Sequence, residues 1–127
     1  MTLKMYQIID FPVFFEKVKS QPLPFKTSYH LTLLANKVQE HTNFYQEKFR
    51  ELILEYSQKD ENGNPVPTDD GQGVKLMEDK TVEAQTKLIE LQQLDVEIPD
   101  VRFSIEDFGN VELTIAEMNV IIPFIEE

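Results

Sequence analysis

Apolar residues recur every three or four positions between residues 26 and 57, and this spacing predicts one long α-helix. The buried stripe of that helix would contain Leu31, Leu34, Val38, His41, Tyr45, Phe49, Leu52 and Tyr56. Thr27 or Ser28 is a suitable N-cap for it. At ~1.5 Å per residue, about thirty residues span about 45 Å, whereas a compact domain of this length is about 36 Å across. We therefore expect either an elongated molecule or a helix that a neighbouring chain completes.

Shorter patterns surround the long helix. Residues 11–18 are very apolar and predict a short helix, which the prolines of 21–24 would end. Residues 58–77 contain three of the four glycines, so we expect a mobile loop there. Residues 78–94 show a weaker helical pattern, and we expect this segment to return antiparallel along the long helix. The pattern of residues 3–9 fits a strand and a helix equally.

The pattern changes again in the last quarter of the chain. Apolar and polar residues alternate over 95–105, which predicts a half-buried extended segment. Capping-box sequences begin at Ser104 and Thr114 and predict two short helical segments, the second of which Pro123 would shorten. Together these elements predict a single domain, 1–127, that is mainly α with minor β (α+β). Its parts would be a long antiparallel helical hairpin, short N-terminal and C-terminal helices and a small β element.

Acidic residues are concentrated towards the C-terminus of the sequence. The chain has 23 Asp and Glu and 12 Lys and Arg, a net charge of -11. Residues 95–127 contain nine acids and one base, a net charge of -8, which leaves -3 for residues 1–94. Such a chain repels phosphate backbones, so we expect no direct binding to nucleic acid. The acids would either favour solubility or bind a basic partner. The candidate partner-binding carboxylates are Asp95, Glu97, Asp100, Glu106, Asp107 and Glu112.

The sequence disfavours most enzyme chemistry. It has no cysteine, and it contains no nucleophile-elbow or phosphate-loop motif. The two histidines, His30 and His41, would lie about 16 Å apart along the predicted long helix, so they cannot bind one metal ion. The acidic loop that begins at Asp60 has Pro65 where a calcium loop requires glycine. We therefore expect a non-enzymatic protein with no catalytic residue, no cofactor and no metal.

Membrane insertion and export are not expected either. No apolar run approaches the ~18 residues of a membrane span. The first residues lack the basic start and the apolar core of a secretion signal.

Two neighbouring aromatic residues indicate a second contact surface on the long helix. Phe44 and Tyr45 are adjacent, so their side chains point roughly 100° apart around the helix axis. One of them would lie outside the main stripe and would be covered by another part of the chain or by another subunit. We therefore include Phe44 and Tyr45 among the candidate partner-binding residues. The length of the predicted helix leads us to expect a homo-oligomer that forms through this helix.

Several short segments occur in a characteristic order. They are LPFKTSYHL from Leu23, KDENGN from Lys59, LDVEI from Leu94, LTIAE from Leu113 and PFIE from Pro123. In this order they resemble a family of short acidic proteins that phages and prophages of Gram-positive bacteria encode. The resemblance covers nearly the whole chain and implies a location inside an infected cell, in the host bacterial cytoplasm. The family has no established catalytic residues to carry over.

Two functions fit these observations, and a third lies outside their class. We expect a non-enzymatic phage protein that binds a phage or host protein as an accessory or assembly factor. The alternative is an acidic inhibitor that imitates nucleic acid toward a host DNA- or RNA-processing or defence enzyme. Binding by such an inhibitor would weaken steeply with salt, whereas an apolar helical interface would barely respond. The third is a small metal-dependent enzyme that uses the acidic loop, in which case divalent cations would raise the melting temperature.

Overall fold

The computed structural model describes residues 1–126, which form a mainly helical chain with one two-stranded antiparallel sheet. This architecture confirms the predicted class, mainly α with minor β. The helices and strands are β1 (Thr2–Lys4), α1 (Met5–Ile8), α2 (Phe11–Val18), α3 (Phe25–Tyr56), α4 (Thr81–Gln92), β2 (Asp95–Glu97) and α5 (Ile115–Ile121). Single turns of 3-10 helix occupy Glu78–Lys80, Ile105–Phe108 and Ile122–Phe124. Glu127, the last residue of the acidic segment predicted over 95–127, lies outside the described residues.

The chain divides into two compact units, and we describe each by itself. The hairpin unit contains residues 43–94. The terminal unit contains residues 1–42 and the described residues from 95 onward. Helix α3 contributes to both units, because the division falls between Thr42 and Asn43. The expected single-domain organisation of residues 1–127 stays a prediction.

The sheet of the terminal unit joins the start of the chain to the segment that directly follows the hairpin unit. β1 pairs with β2 in antiparallel register, with Thr2 opposite Glu97 and Lys4 opposite Asp95. Polar residues at both ends of β2 are exposed, while Val96 between them is buried. This alternation is the one that a half-buried strand requires, so the extended segment predicted after residue 94 is confirmed for β2.

Residues 3–9, which fit a strand and a helix equally, contain the end of β1 and then helix α1. Met5 and Ile8 are both buried, and their spacing of three places them on one side of a helical turn. The predicted short helix over 11–18 is confirmed as α2, which buries Phe11 and Phe14.

Phenylalanine rings form the centre of the terminal unit. The ring of Phe11 lies edge-on to Phe124 at 6.2 Å, and the ring of Phe14 lies edge-on to Phe108 at the same distance. Phe103 contacts Phe108 at 5.5 Å. Such tilted and edge-to-face pairs are the favoured arrangements of aromatic rings, so α2 and the C-terminal segment stabilise each other.

Helix α3 begins earlier than the capping residues indicate. It starts at Phe25, and the backbone N–H of Ser28 donates to the Pro24 carbonyl at 3.0 Å. Thr27 therefore lies within the first turn, and its side chain is buried one turn before that of Leu31. The prediction of Thr27 or Ser28 as N-cap is wrong, because the Pro24 carbonyl already accepts the first helical hydrogen bond.

In the hairpin unit, α4 runs back along the second half of α3. The hydroxyl of Tyr56 donates to Glu83 Oε1 at 3.1 Å, which ties the end of α3 to the start of α4. Burial and the Glu83 carboxylate raise the pKa of Tyr56. The segment between the helices, predicted as a mobile loop over 58–77, contains three antiparallel bridges. They pair Ser57 with Leu76, Lys59 with Pro65, and Pro67 with Val74. Its mobility stays a prediction.

Both predicted capping boxes are present in the terminal unit. The Ser104 N–H donates to Asp107 Oδ2 at 2.8 Å. The Thr114 N–H donates to Glu117 Oε1 at 2.8 Å, and the Glu117 N–H donates back to Thr114 Oγ1 at 3.1 Å. Helix α5 ends two residues before Pro123, which lies in a 3-10 turn, so the expected shortening is confirmed.

Candidate functional site

The hairpin unit has almost no hydrophobic core of its own. Of the seventeen hydrophobic residues buried in the described part of the chain, only Tyr56 and Ala84 lie in residues 43–94. A helical pair is stabilised mainly by burial of its apolar faces, because short isolated helices are marginal in water. The apolar surface of this unit is therefore the first candidate for binding another protein.

Large apolar side chains of the hairpin unit remain open to solvent instead. The exposed ones are Phe44, Phe49, Leu54, Val82, Ile89 and Leu94. They do not all belong to one surface. Phe44 and Leu94 line a groove between α3 and α4, whereas Val82 and Ile89 lie seven residues apart on another side of α4.

The groove between α3 and α4 has an apolar floor and a charged rim. Its volume is about 350 Å³, and its apolar lining residues are Phe44, Leu52, Leu91 and Leu94. Its charged lining residues are Lys48, Glu51, Glu55, Lys87 and Glu90. Both signs of charge therefore surround one apolar depression.

Ion pairs and an aromatic contact position the rim side chains. Lys48 pairs with Glu51 at 3.2 Å, and Lys87 pairs with Glu90 at 3.8 Å. The ammonium group of Lys48 also lies 5.7 Å from the centroid of the Phe44 ring, a cation–π contact. These contacts are exposed and contribute little to stability by themselves.

The two aromatic residues predicted for partner binding lie on different surfaces of α3. Phe44 is 44% exposed and lines the groove. Tyr45 is half-buried, and its ring stacks on Phe49 at 6.0 Å. The structure thus separates the two side chains, as their adjacent positions in the helix require.

Val82 and Ile89 are exposed apolar residues that are not among the predicted partner-binding residues. Their spacing of seven positions places them above each other on α4, which is a signal that the sequence contains. The weaker helical pattern of residues 78–94 predicts a helix that returns along α3 and does not show which of its apolar side chains stay exposed.

Three of the predicted acidic residues interact with neighbouring parts of their own unit. Asp95 forms an ion pair with Lys4 at 2.6 Å across the sheet. Glu97 accepts a hydrogen bond from the Thr2 hydroxyl on the same pair of strands. Asp100 pairs with Arg102 at 3.2 Å.

The other three predicted acids lie close together in the sequence and differ in their contacts. Asp107 accepts the capping hydrogen bond described above. Glu106 and Glu112 are exposed, and their carboxylates make no hydrogen bond or ion pair with the part of the chain that the structure describes. Of the six carboxylates, these two are the ones without a partner among residues 1–126.

The histidines have structural contacts. His41 Nε2 donates to the Glu97 carbonyl at 2.8 Å, so α3 is tied to β2 within the terminal unit. The ring of His30 lies edge-on to Phe103 at 6.3 Å. Within residues 1–126, no group of three or more metal-binding side chains is close enough to hold an ion.

A second exposed apolar surface lies on the first half of α3. Phe25 is 92% exposed, and Tyr29 and Leu33 follow it at intervals of four residues. Together with Leu23 they line an open depression of about 500 Å³. No charged residue lines this depression, so its electrostatics differ from those of the groove.

No helix among the described residues is both long enough and apolar enough to cross a membrane.

The resemblance to phage and prophage proteins stays a prediction. Searches against protein-family models, curated proteins and solved structures find no match to this chain.

Proposed function

We propose that this protein is a non-enzymatic interaction protein that binds other protein chains through its hairpin unit. The observation that supports this proposal is the lack of a core between residues 43 and 94, where only Tyr56 and Ala84 are buried among the hydrophobic residues. Apolar surface gains roughly 25 cal/mol for each Å² removed from water. A partner that covers the hairpin therefore supplies stabilisation that the isolated unit lacks.

The partner that the groove fits best is a second copy of the same hairpin. The rim carries two lysines, Lys48 and Lys87, and three glutamates, Glu51, Glu55 and Glu90. A two-fold axis brings the same surface of two subunits together. The exposed pairs Lys48–Glu51 and Lys87–Glu90 can then be exchanged for pairs between lysines of one copy and glutamates of the other. Antiparallel helical pairs that meet in this way form a four-helix bundle.

The proposal includes a phage accessory or assembly role in the cytoplasm of the host bacterium. It takes this setting from the resemblance of the sequence segments between Leu23 and Glu126 to phage and prophage proteins. A homo-oligomer that also binds a phage or host protein fits such a role.

The structure offers less support for the alternative, an acidic inhibitor that imitates nucleic acid. Such an inhibitor needs carboxylates that are free to replace phosphates. Asp95 and Asp100 are paired with cations of their own chain, and Glu97 and Asp107 accept hydrogen bonds. Of the predicted carboxylates, only Glu106 and Glu112 have no such partner among the described residues. Two unpaired charges are few for an imitation of a nucleic-acid backbone.

Sedimentation velocity from micromolar to near-millimolar concentration tests the proposal. We expect the wild-type chain to form dimers or larger oligomers, with little change between low and high salt because the floor of the groove is apolar. Leu94→Glu places a charge in the groove, while Leu33→Glu makes the same change at an equally exposed leucine outside it. The first variant should be monomeric and the second should associate like the wild type.

Other outcomes would contradict the proposal. A wild-type chain that stays monomeric throughout, or a Leu33→Glu variant that dissociates as fully as Leu94→Glu, excludes self-association through the groove. Turnover of a substrate that is lost with one named side chain excludes the non-enzymatic role.

A further inference from the structure

A small cavity lies in the C-terminal part of the terminal unit, and none of its lining residues belongs to the hairpin unit. It is formed by the 3-10 turn Ile105–Phe108, the segment after it, α5 and Ile125. Its volume is about 120 Å³, somewhat smaller than the ~150 Å³ apolar cavities that accept benzene. All of its lining side chains are apolar, and backbone atoms supply the polar part of its surface.

The cavity opens to the surface where apolar side chains remain exposed. Ile105, one of the lining residues, is 64% exposed, whereas Phe108 and Ile121 at the same cavity are buried. The space is thus reachable from solvent and large enough for one branched aliphatic side chain.

The charges near the cavity select the kind of molecule that provides this side chain. Residues 103–126 contain five acids and no lysine or arginine. Glu106 directly follows the lining residue Ile105, and Glu112 lies between the lining residues Val111 and Leu113. Neither carboxylate has an ion-pair partner among residues 1–126. A neutral apolar molecule would leave these two charges unused.

We propose that this cavity is a docking site for a basic segment of a partner protein, which inserts one aliphatic side chain while flanking lysines or arginines meet Glu106 and Glu112. The cavity supplies the apolar contact, and the two carboxylates supply the electrostatic complementarity. The site does not depend on the hairpin, so it can be correct whether or not the hairpins associate.

Nuclear magnetic resonance titration of the full chain with short peptides tests the site. The probe is the acetylated peptide Lys-Lys-Leu-Lys-Lys, and the controls are Lys-Lys-Ser-Lys-Lys and Glu-Glu-Leu-Glu-Glu. We expect the leucine peptide to shift the methyl signals of Val111, Leu113 and Ile125. The serine peptide should bind at least tenfold more weakly, because it lacks the aliphatic group that enters the cavity. The acidic peptide should not bind.

Matched variants separate the cavity from the surrounding surface. Ile105→Ser changes a lining residue, whereas Ile115→Ser changes an isoleucine that is 85% exposed and does not line the cavity. We expect only the first to weaken binding of the leucine peptide, by about tenfold. Both residues are exposed, so neither change should unfold the protein.

Charge removal tests the second half of the proposal. The double variant Glu106→Gln with Glu112→Gln should weaken the leucine peptide about fivefold at low ionic strength. The control, Glu47→Gln with Glu61→Gln, removes two exposed acids of the hairpin unit and should have no effect. Equal affinities for the leucine and serine peptides would overturn the proposal. So would the absence of any shift at the lining methyl groups.

Discussion

Replacement of Phe44 by alanine is the most direct test of the groove, because the structure sets the size of the expected effect. A phenylalanine side chain has an accessible area of roughly 200 Å². Phe44 is 44% exposed, so a partner can cover about 90 Å² of its side chain. At ~25 cal/mol per Å², covering this area stabilises the complex by about 2 kcal/mol per chain. A two-fold interface contains this residue twice. We therefore expect Phe44→Ala to weaken a dimer by about 4 kcal/mol, roughly a thousandfold in the dissociation constant.

The assay is sedimentation velocity over a concentration series, with far-ultraviolet circular dichroism to verify that the helices are retained. Phe25→Ala is the matched control, since Phe25 is even more exposed but lies outside the groove. It should leave the dissociation constant unchanged. If Phe44→Ala associates like the wild type while its helicity is intact, the groove is not the interface. If Phe25→Ala dissociates the oligomer instead, the surface around Leu23 and Tyr29 is the interface.

Three further predictions concern the terminal unit. Phe124→Ala removes a fully buried ring that contacts Phe11, so urea denaturation should show that the free energy of unfolding falls by about 3–5 kcal/mol. A decrease below about 1 kcal/mol would contradict the described core. Thr114→Ala removes the side-chain cap of α5 and should lower the free energy of unfolding by about 1 kcal/mol in the same assay. Thr32→Ala, at an exposed site of α3, should lower it less. Equal losses of stability in the two variants would refute the capping role. The ion pair with Lys17 and the Thr114 N–H hold the pKa of Glu117 below its ordinary value of 4.5. Because the folded pKa is the lower one, Glu117 stabilises the fold above about pH 4.5 and loses this effect as the pH falls further. In the variant Glu117→Gln, the urea midpoint should therefore decrease less on acidification than it does in the wild type. The control Glu40→Gln should show the wild-type decrease. If the urea midpoint of Glu117→Gln depends on pH as in the wild type, the role assigned to Glu117 is refuted.

Local features of the chain were the ones that the sequence predicted well. The capping boxes at Ser104 and Thr114 are satisfied within four residues, so no distant contact can alter them. Pro123 likewise shortens α5 through its own missing N–H and fixed backbone angle. The N-cap of α3 was predicted wrongly. Thr27 and Ser28 are suitable capping residues by type, but the Pro24 carbonyl accepts the first helical hydrogen bond, so the helix already begins at Phe25.

Burial was predicted less well than secondary structure, because it depends on what lies opposite each side chain. The apolar stripe of α3 has the same spacing along its whole length. Leu31, Leu34 and Val38 are fully buried, yet Phe49 in the continuation of the stripe is exposed. A periodic pattern defines the face that can be buried and does not specify whether the rest of the chain is large enough to cover it.

The candidate site shows the same division between local and distant information. The angle between Phe44 and Tyr45 follows from helix geometry, and the structure places them on different surfaces. The pairing of Asp95 with Lys4 joins residues 91 positions apart, so no pattern within either segment could have revealed it. The cavity between the 3-10 turn and α5 is likewise a property of packing.

The two kinds of predicted site residue lie in different units and would respond differently to salt. Phe44 belongs to a groove whose floor is apolar, and burial of apolar surface is not weakened by moderate salt. Glu106 and Glu112 are exposed charges, whose attraction to a basic segment decreases as the Debye length shortens. High salt should therefore leave hairpin association intact and weaken peptide binding at the C-terminal cavity. Each interaction can be removed without the other. A partner that high salt releases would therefore be bound at the C-terminal cavity, and a partner that stays bound in high salt would be held by the groove of the hairpin unit.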